Sequence, residues 1–205
     1  GATPTITELR RGRVAGGFAE PVRLALARDP ALVAEIARRI LNAHFPESIR
    51  QDVADAVGLC LDADNAAAPE QAQRRRDPAF REKVLLAYEY RCCVCGHDLR
   101  MGGHAIGIEA AHIKWFQARG PDVVQNGLAL CSLHHKIFDL GAFTVLPVNH
   151  QIVFSRHLMG GDDTKAKLLA HHGAGLIQPQ GRECLPHPEF LAWHRAEVFK
   201  EPARE

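Results

Sequence analysis

The chain has 205 residues, a formal charge of +1 and 46% hydrophobic content, which suits one globular domain or two small ones. So balanced a charge excludes a global basic field, and any nucleic-acid binding has to come from local patches. No apolar run reaches the roughly 18 residues of a membrane span, and Gly1-Ala2-Thr3-Pro4 does not open a secretory leader, which points to the cytoplasm.

Residues 1–61 read as a small helical region. Asp29-Pro30 supplies an N-cap followed by proline at the first helical position. Leu32, Ile36 and Ile40, with Val33 and Leu41 beside them, form an apolar stripe that Pro46 stops. A second helix starts near Glu47, with Ile49, Val53 and Val57 at four-residue spacing and Gly58 as its cap. Residues 62–76 lack apolar periodicity and read as a linker that ends in Arg74-Arg75-Arg76. A third helix follows Asp77-Pro78, with Phe80, Val84, Leu85 and Tyr88 on its buried face. Further on, Phe143 to Phe154 reads as two short strands. Helices over about 163–170 and 188–200 close a domain spanning 77–205, and the fold class is α+β.

The six cysteines are poorly spaced for disulfides. Cys92, Cys93 and Cys95 crowd together, Cys131 opens a C-x2-H pair with His134, and Cys60 and Cys184 stand alone. That pattern favours a metal in a reducing compartment. Tetrahedral zinc takes four Cys or His ligands as two short-range pairs, and Cys92, Cys95, Cys131 and His134 fit it. Cys93 is read as a small buried residue.

One zinc leaves His112, Asn126 and His135 unexplained. Consecutive helical side chains diverge by about 100°, so if His134 faces the zinc, His135 points elsewhere. Asp139, four residues later, shares the His135 face. That pair marks a second metal position, with Asp139 either a ligand or a helix-end residue. His112 ends an apolar segment, Ala105 to Ile113, that reads as one arm of a hairpin. Its imidazole is suited to taking a proton from water near neutral pH. Asn126 cannot titrate, and its task is to pin a loop and orient His112.

Arg91 to Gly96, Glu109 to Ile113 and Asn126 to His135 together resemble the HNH nuclease motif, the ββα-metal site. The resemblance implies a metal-dependent endonuclease with His112 as general base, Asn126 as the central asparagine and His135 as a ligand of Mg2+ or Mn2+. Where many relatives place an acid or histidine before the base, this chain has Ala111, and either Glu109 or Asp139 stands in or water fills the coordination sphere. His44-Phe45-Pro46-Glu47-Ser48 with its following helix, Arg74 to Pro78 and Phe190 to His194 resemble bacterial restriction endonucleases that act on phosphorothioate-modified DNA. Those enzymes join a sulfur-binding domain to a C-terminal HNH domain, and residues 1–61 are short for such a module and read as a partial one. Phe45-Pro46 then either contributes an apolar surface for sulfur or simply ends a helix.

Duplex DNA is the expected partner. Arg74, Arg75, Arg76, Lys114, Arg119 and Lys136 are candidate phosphate contacts, and a homodimer suits double-strand cleavage. Two other functions compete: a zinc-stabilised DNA-binding module without chemistry, and an HNH enzyme of mobile elements or toxins with no preference for sulfur. His171, His172 and His194 have no cysteines nearby and are left as surface or core histidines.

Overall fold

The computed structural model describes residues 17–58 and 77–205. The expected linker 62–76, with Arg74, Arg75 and Arg76, and the isolated Cys60 lie outside the described residues. The chain divides into two compact units, Gly1–Arg39 and Ile40–Glu205, and the division falls inside a helix.

The first unit carries α1 (Glu20–Arg28) and most of α2 (Pro30–His44). α2 begins where Asp29-Pro30 places it, because Asp29 Oδ1 accepts the Leu32 backbone N–H at 3.0 Å. The apolar stripe expected along α2 is buried only in part. Leu32, Ile36 and Ile40 are 39%, 38% and 51% exposed, whereas Val33 is half-buried and Leu41 is buried.

In the second unit α2 gives way at Pro46 to a 3-10 turn, Glu47–Ile49, and to α3 (Arg50–Ala56). Gly58 follows with φ +69°, the left-handed cap its residue type suggests. After the undescribed stretch, α4 (Phe80–Ala87) buries Phe80, Val84 and Leu85, with Tyr88 just beyond it. Asp77 Oδ1 accepts the Ala79 N–H at 2.9 Å and organises the entry to this helix.

A two-residue hairpin, β1 (Arg100–Met101) and β2 (His104–Ala105), precedes the central pair. β3 (Ile108–His112) and β4 (Gly127–Cys131) run antiparallel, with Ile108 opposite Cys131 and His112 opposite Gly127. α5 (Ser132–Asp139) begins at the residue after β4, which completes the expected ββα unit. α4 lies so close to β4 that a Cβ on Gly127 would sit 2.3 Å from Val84 Cγ2.

β5 (Phe143–Val145) and β6 (Ile152–Phe154) form the expected second hairpin, followed by α6 (Asp162–Leu169) and α7 (Pro188–Glu197). Their shared core is aromatic. Phe138 and Phe143 centroids are 5.1 Å apart, and Phe143 and Phe154 centroids 5.4 Å. The His194 ring lies flat on Phe138 at 3.7 Å. Its Nε2 donates to the Phe138 carbonyl at 3.2 Å, which leaves Nδ1 to accept from the Thr144 hydroxyl at 3.0 Å. Burial pushes the His194 pKa down to about 4.

Candidate metal centre and active site

The ββα unit brings two polar clusters to opposite sides of the first turn of α5. On one side are Cys92, Cys95, Cys131 and His134, whose ligand atoms all lie within 4.8 Å of one another. Cys92 and Cys95 come from the loop after α4, Cys131 ends β4, and His134 sits one turn into α5. His134 turns Nδ1 toward the sulfurs, 3.2 Å from Cys131 Sγ and 3.6 Å from Cys92 Sγ, while Cys95 and Cys131 sulfurs are 4.0 Å apart. A tetrahedral zinc with ordinary bond lengths spaces such donors by roughly 3.6–3.8 Å, so the set fits the ion.

The charge points the same way. Burial works against the charged His134 ring, yet hydrogen bonds to Cys131, Cys92 and Cys95 carry its pKa to about 11. A divalent cation bound by this set would take the place of that proton, because a ligand ring must be neutral. Cys93 stays outside the set. It is fully buried, its backbone bonds Ala129 and Ile177, and burial pushes its thiol well up.

On the other side, His135 lies between two carboxylates. Its Nδ1 is 2.6 Å from Glu109 Oε2 and its Nε2 is 3.2 Å from Asp139 Oδ2. Burial lowers its affinity for a proton, but the bonds to Asp139 and Glu109 raise its pKa above the ordinary value. Glu109, one residue removed from Ala111 along β3, is steadied by the Ser132 hydroxyl at 2.8 Å. Ala111 itself is fully buried and has no donor to offer. His135, Asp139 and Glu109 carry imidazole and carboxylate donors, but the two carboxylates sit on opposite ring nitrogens of His135, and among the described residues only the thiol cluster brings three or more ligand atoms within 4.8 Å of one another.

His112 faces the same space. It lines with His135, Asp139 and Glu109 a cleft of about 340 Å³. Its ring stacks on Phe80 at 4.0 Å and meets Phe116 edge-on at 6.1 Å. His112 Nε2 lies 2.8 Å from Asp122 Oδ1. Sequence reasoning passed over Asp122. The available signal was that it is the only carboxylate between His112 and Asn126.

Asn126 is completely buried and pins the loop as expected. Its Oδ1 accepts the Lys114 N–H at 2.8 Å, and its Nδ2 donates to the carbonyls of Lys114 at 3.0 Å and Pro121 at 2.9 Å. The side chain that bonds the His112 ring is Asp122, which follows the pinned Pro121. Gly120 allows the loop to close, since a Cβ there would stand 1.8 Å from the Lys114 carbonyl oxygen.

The far wall of the cleft comes from Pro46, Glu47 and Ser48. Ser48 donates its hydroxyl to Asp139 Oδ2, a contact that nothing in the local sequence announces. Lys136 donates to the Ser48 carbonyl and pairs with Asp52, so its ammonium ties α5 to the 3-10 turn and α3 instead of projecting toward a phosphate. Phe45 packs on Trp115 with ring centroids 6.3 Å apart, and its carbonyl accepts from Gln117 at 3.2 Å and Arg50 at 3.1 Å. Pro46 therefore reaches the cleft while Phe45 anchors its rim. Lys114 is half-buried and Arg119 exposed. Arg81, not anticipated, donates to the Ile108 carbonyl at 3.2 Å and lines a second cleft beside His112.

Residues 92–146 match the family model described as HNH endonuclease. No curated protein matches the chain. Among solved structures, one similar to it is titled "Modification dependent TagI restriction endonuclease", at 21% identity and a TM-score of 0.47, covering 72% of this chain. This chain spans 44% of that one's length.

Proposed function

We propose, taking residues 92–146 as an HNH endonuclease domain and the chain as a nuclease, that it cleaves duplex DNA with the aid of a divalent ion and a structural zinc. One observation carries the reading. His134 turns toward the thiol cluster while the adjacent His135 turns toward the cleft that His112 lines. A zinc-stabilised binding module without chemistry requires only the first of these two arrangements.

His112 removes a proton from the attacking water, and its stack on Phe80 keeps the ring facing the cleft. An ion held by His135 with either Asp139 or Glu109 would neutralise charge on the scissile phosphate and the departing oxygen. Asn126 holds the loop from Lys114 to Asp122 in register. Zinc on Cys92, Cys95, Cys131 and His134 would fix the start of α5 and so the direction of His135.

The finer reading is a restriction enzyme for phosphorothioate-modified DNA. Its support is the resemblance of residues 44–59 and the position of Pro46 and Ser48 at the edge of the catalytic cleft, where a DNA backbone would lie. Phosphate contacts from Arg74, Arg75, Arg76, Arg81 and Lys114, and a second copy for the second strand, belong to the same proposal. Among the described residues no helix is long and apolar enough to cross a membrane.

The test is nicking of a supercoiled plasmid with Mg2+ or Mn2+. Wild type should cut, and His112→Ala should lose on the order of 10³-fold in rate while keeping its fold. Equal cutting by the two would sink the nuclease assignment of His112. Cleavage of paired duplexes that differ only in phosphorothioation decides the finer reading: preference for the sulfur duplex supports it, and equal rates discard it.

A further inference from the structure

We infer that Asp122 is the positioning residue that fixes the His112 tautomer, so that Nδ1 is the atom that accepts the proton. The inference rests on the reading of His112 as base and goes beyond it by naming the atom and its orienter. Three observations carry it. Asp122 has a side chain only 11% exposed and lies 2.8 Å from Nε2, within hydrogen-bond reach of one ring nitrogen only. Its other oxygen accepts the Asp77 backbone N–H at 2.7 Å, so the carboxylate is held at both ends and cannot swing away. It also follows Pro121, whose carbonyl Asn126 grips at 2.9 Å.

A carboxylate accepts and does not donate, so the neutral ring must carry its hydrogen on Nε2. The lone pair is then on Nδ1. In the reaction a water O–H bond breaks and an Nδ1–H bond forms. The water oxygen bonds phosphorus, and the bond from phosphorus to the leaving oxygen breaks with its electron pair going to that oxygen. The imidazolium so formed carries both protons, with Nε2–H still donated to Asp122. Asn126 then acts on the base at one remove, through Pro121 and Asp122.

Asp122→Asn is nearly isosteric and removes the charge while allowing either ring tautomer. It should lower kcat about 10²-fold with KM for DNA changed less than about twofold. It should also move the acid limb of the kcat profile toward lower pH, because the imidazolium loses its counter-charge. Among the described residues, the other titratable groups lining the clefts with His112 are Asp77, Arg81, Glu109, Glu47, His135 and Asp139, and all stay in place in the variant. A merely structural role would reduce the active fraction and leave the limb where it is.

Ring nitrogen-15 shifts of His112 in the zinc-loaded wild type supply a readout free of activity, and they should show the proton on Nε2. An Nδ1–H ring, or Asp122→Asn with wild-type kcat and pH profile, overturns the inference. If His112→Ala cuts as well as wild type, the base assignment fails and the inference falls with it. If His112→Ala is inactive while Asp122→Asn is unimpaired, only the inference falls.

Discussion

At Asn126 and His194, single buried polar side chains hold large parts of the molecule in place, and both can be tested alone. Asn126 spends its amide on the Lys114 and Pro121 backbone. Asn126→Ala leaves a buried N–H and two carbonyls without partners, which should cost about 3 kcal/mol. Urea denaturation measures it, and a loss below about 1 kcal/mol would mean that water replaces the amide. His194 tests burial. Its folded pKa of about 4 lies below the 6.5 of an unfolded histidine. The unfolded chain therefore takes up a proton that the folded ring refuses. This contribution to stability is complete above pH 6.5 and is lost as pH falls toward 4. Between pH 7.5 and 5.5 it amounts to about 1.4 kcal/mol. His194→Phe should be less stable than wild type at pH 7.5, and the gap should narrow by about that amount at pH 5.5. A constant gap would show that His194 titrates normally in the fold.

α5 serves two sites: His134 in its first turn faces the thiols, while His135 in the same turn and Asp139 in the last face the cleft. The 3-10 turn Glu47–Ile49 and α3 are fastened to that last turn through Ser48–Asp139 and Lys136–Asp52. Asp139 is almost fully buried, so its orientation depends on these donors. Ser48→Ala should therefore raise the Mn2+ concentration needed for half-maximal cleavage about tenfold, with cleavage at saturating Mn2+ nearly retained. An unchanged metal requirement would reduce Ser48 to a packing residue. The same elements show what the sequence could disclose. β3, β4 and α5 are legible because Cys131 and His134 mark a strand end and a helix start, and because four-residue spacing puts Asp139 with His135. The helix after Pro46 is legible from Ile49, Val53 and Gly58. Its attachment to α5 is not, because that attachment is made by polar pairs about 90 residues apart that leave no periodic trace. Asp122 shows in the sequence only as the one carboxylate between His112 and Asn126, because its partner is fixed by a loop closure at Gly120, not by a repeat. Apolar spacing along α2 shows an amphipathic helix without saying which flank, that of Ile40 or that of Leu41, meets a core.

For the whole molecule, stability and activity meet at the proposed zinc. Each sheet among the described residues has only two strands, and an isolated two-stranded sheet is marginal in water. β3 and β4 gain support from α4 and α5, yet the loop of Cys92 and Cys95 would be held to the start of α5 by an ion on the four candidate ligands. Without an ion, three sulfurs and a ring nitrogen would share a space in which any ionised thiols repel one another. Zinc binding should therefore be coupled to folding of the second unit. Purified protein should release one zinc per chain on thiol modification. A zinc chelator should abolish the cooperative thermal transition of that unit and its nicking activity together. Adding Mg2+ alone should restore neither, because magnesium does not favour thiolate ligands, while zinc followed by Mg2+ should restore both. Cys131→Ala should behave like the chelated protein, whereas Cys93→Ala, outside the ligand set, should keep its zinc and lose only the packing of a small buried side chain. If the chelated protein melts at the wild-type temperature and still cuts DNA, the thiol cluster is no part of what aims His135 at the cleft.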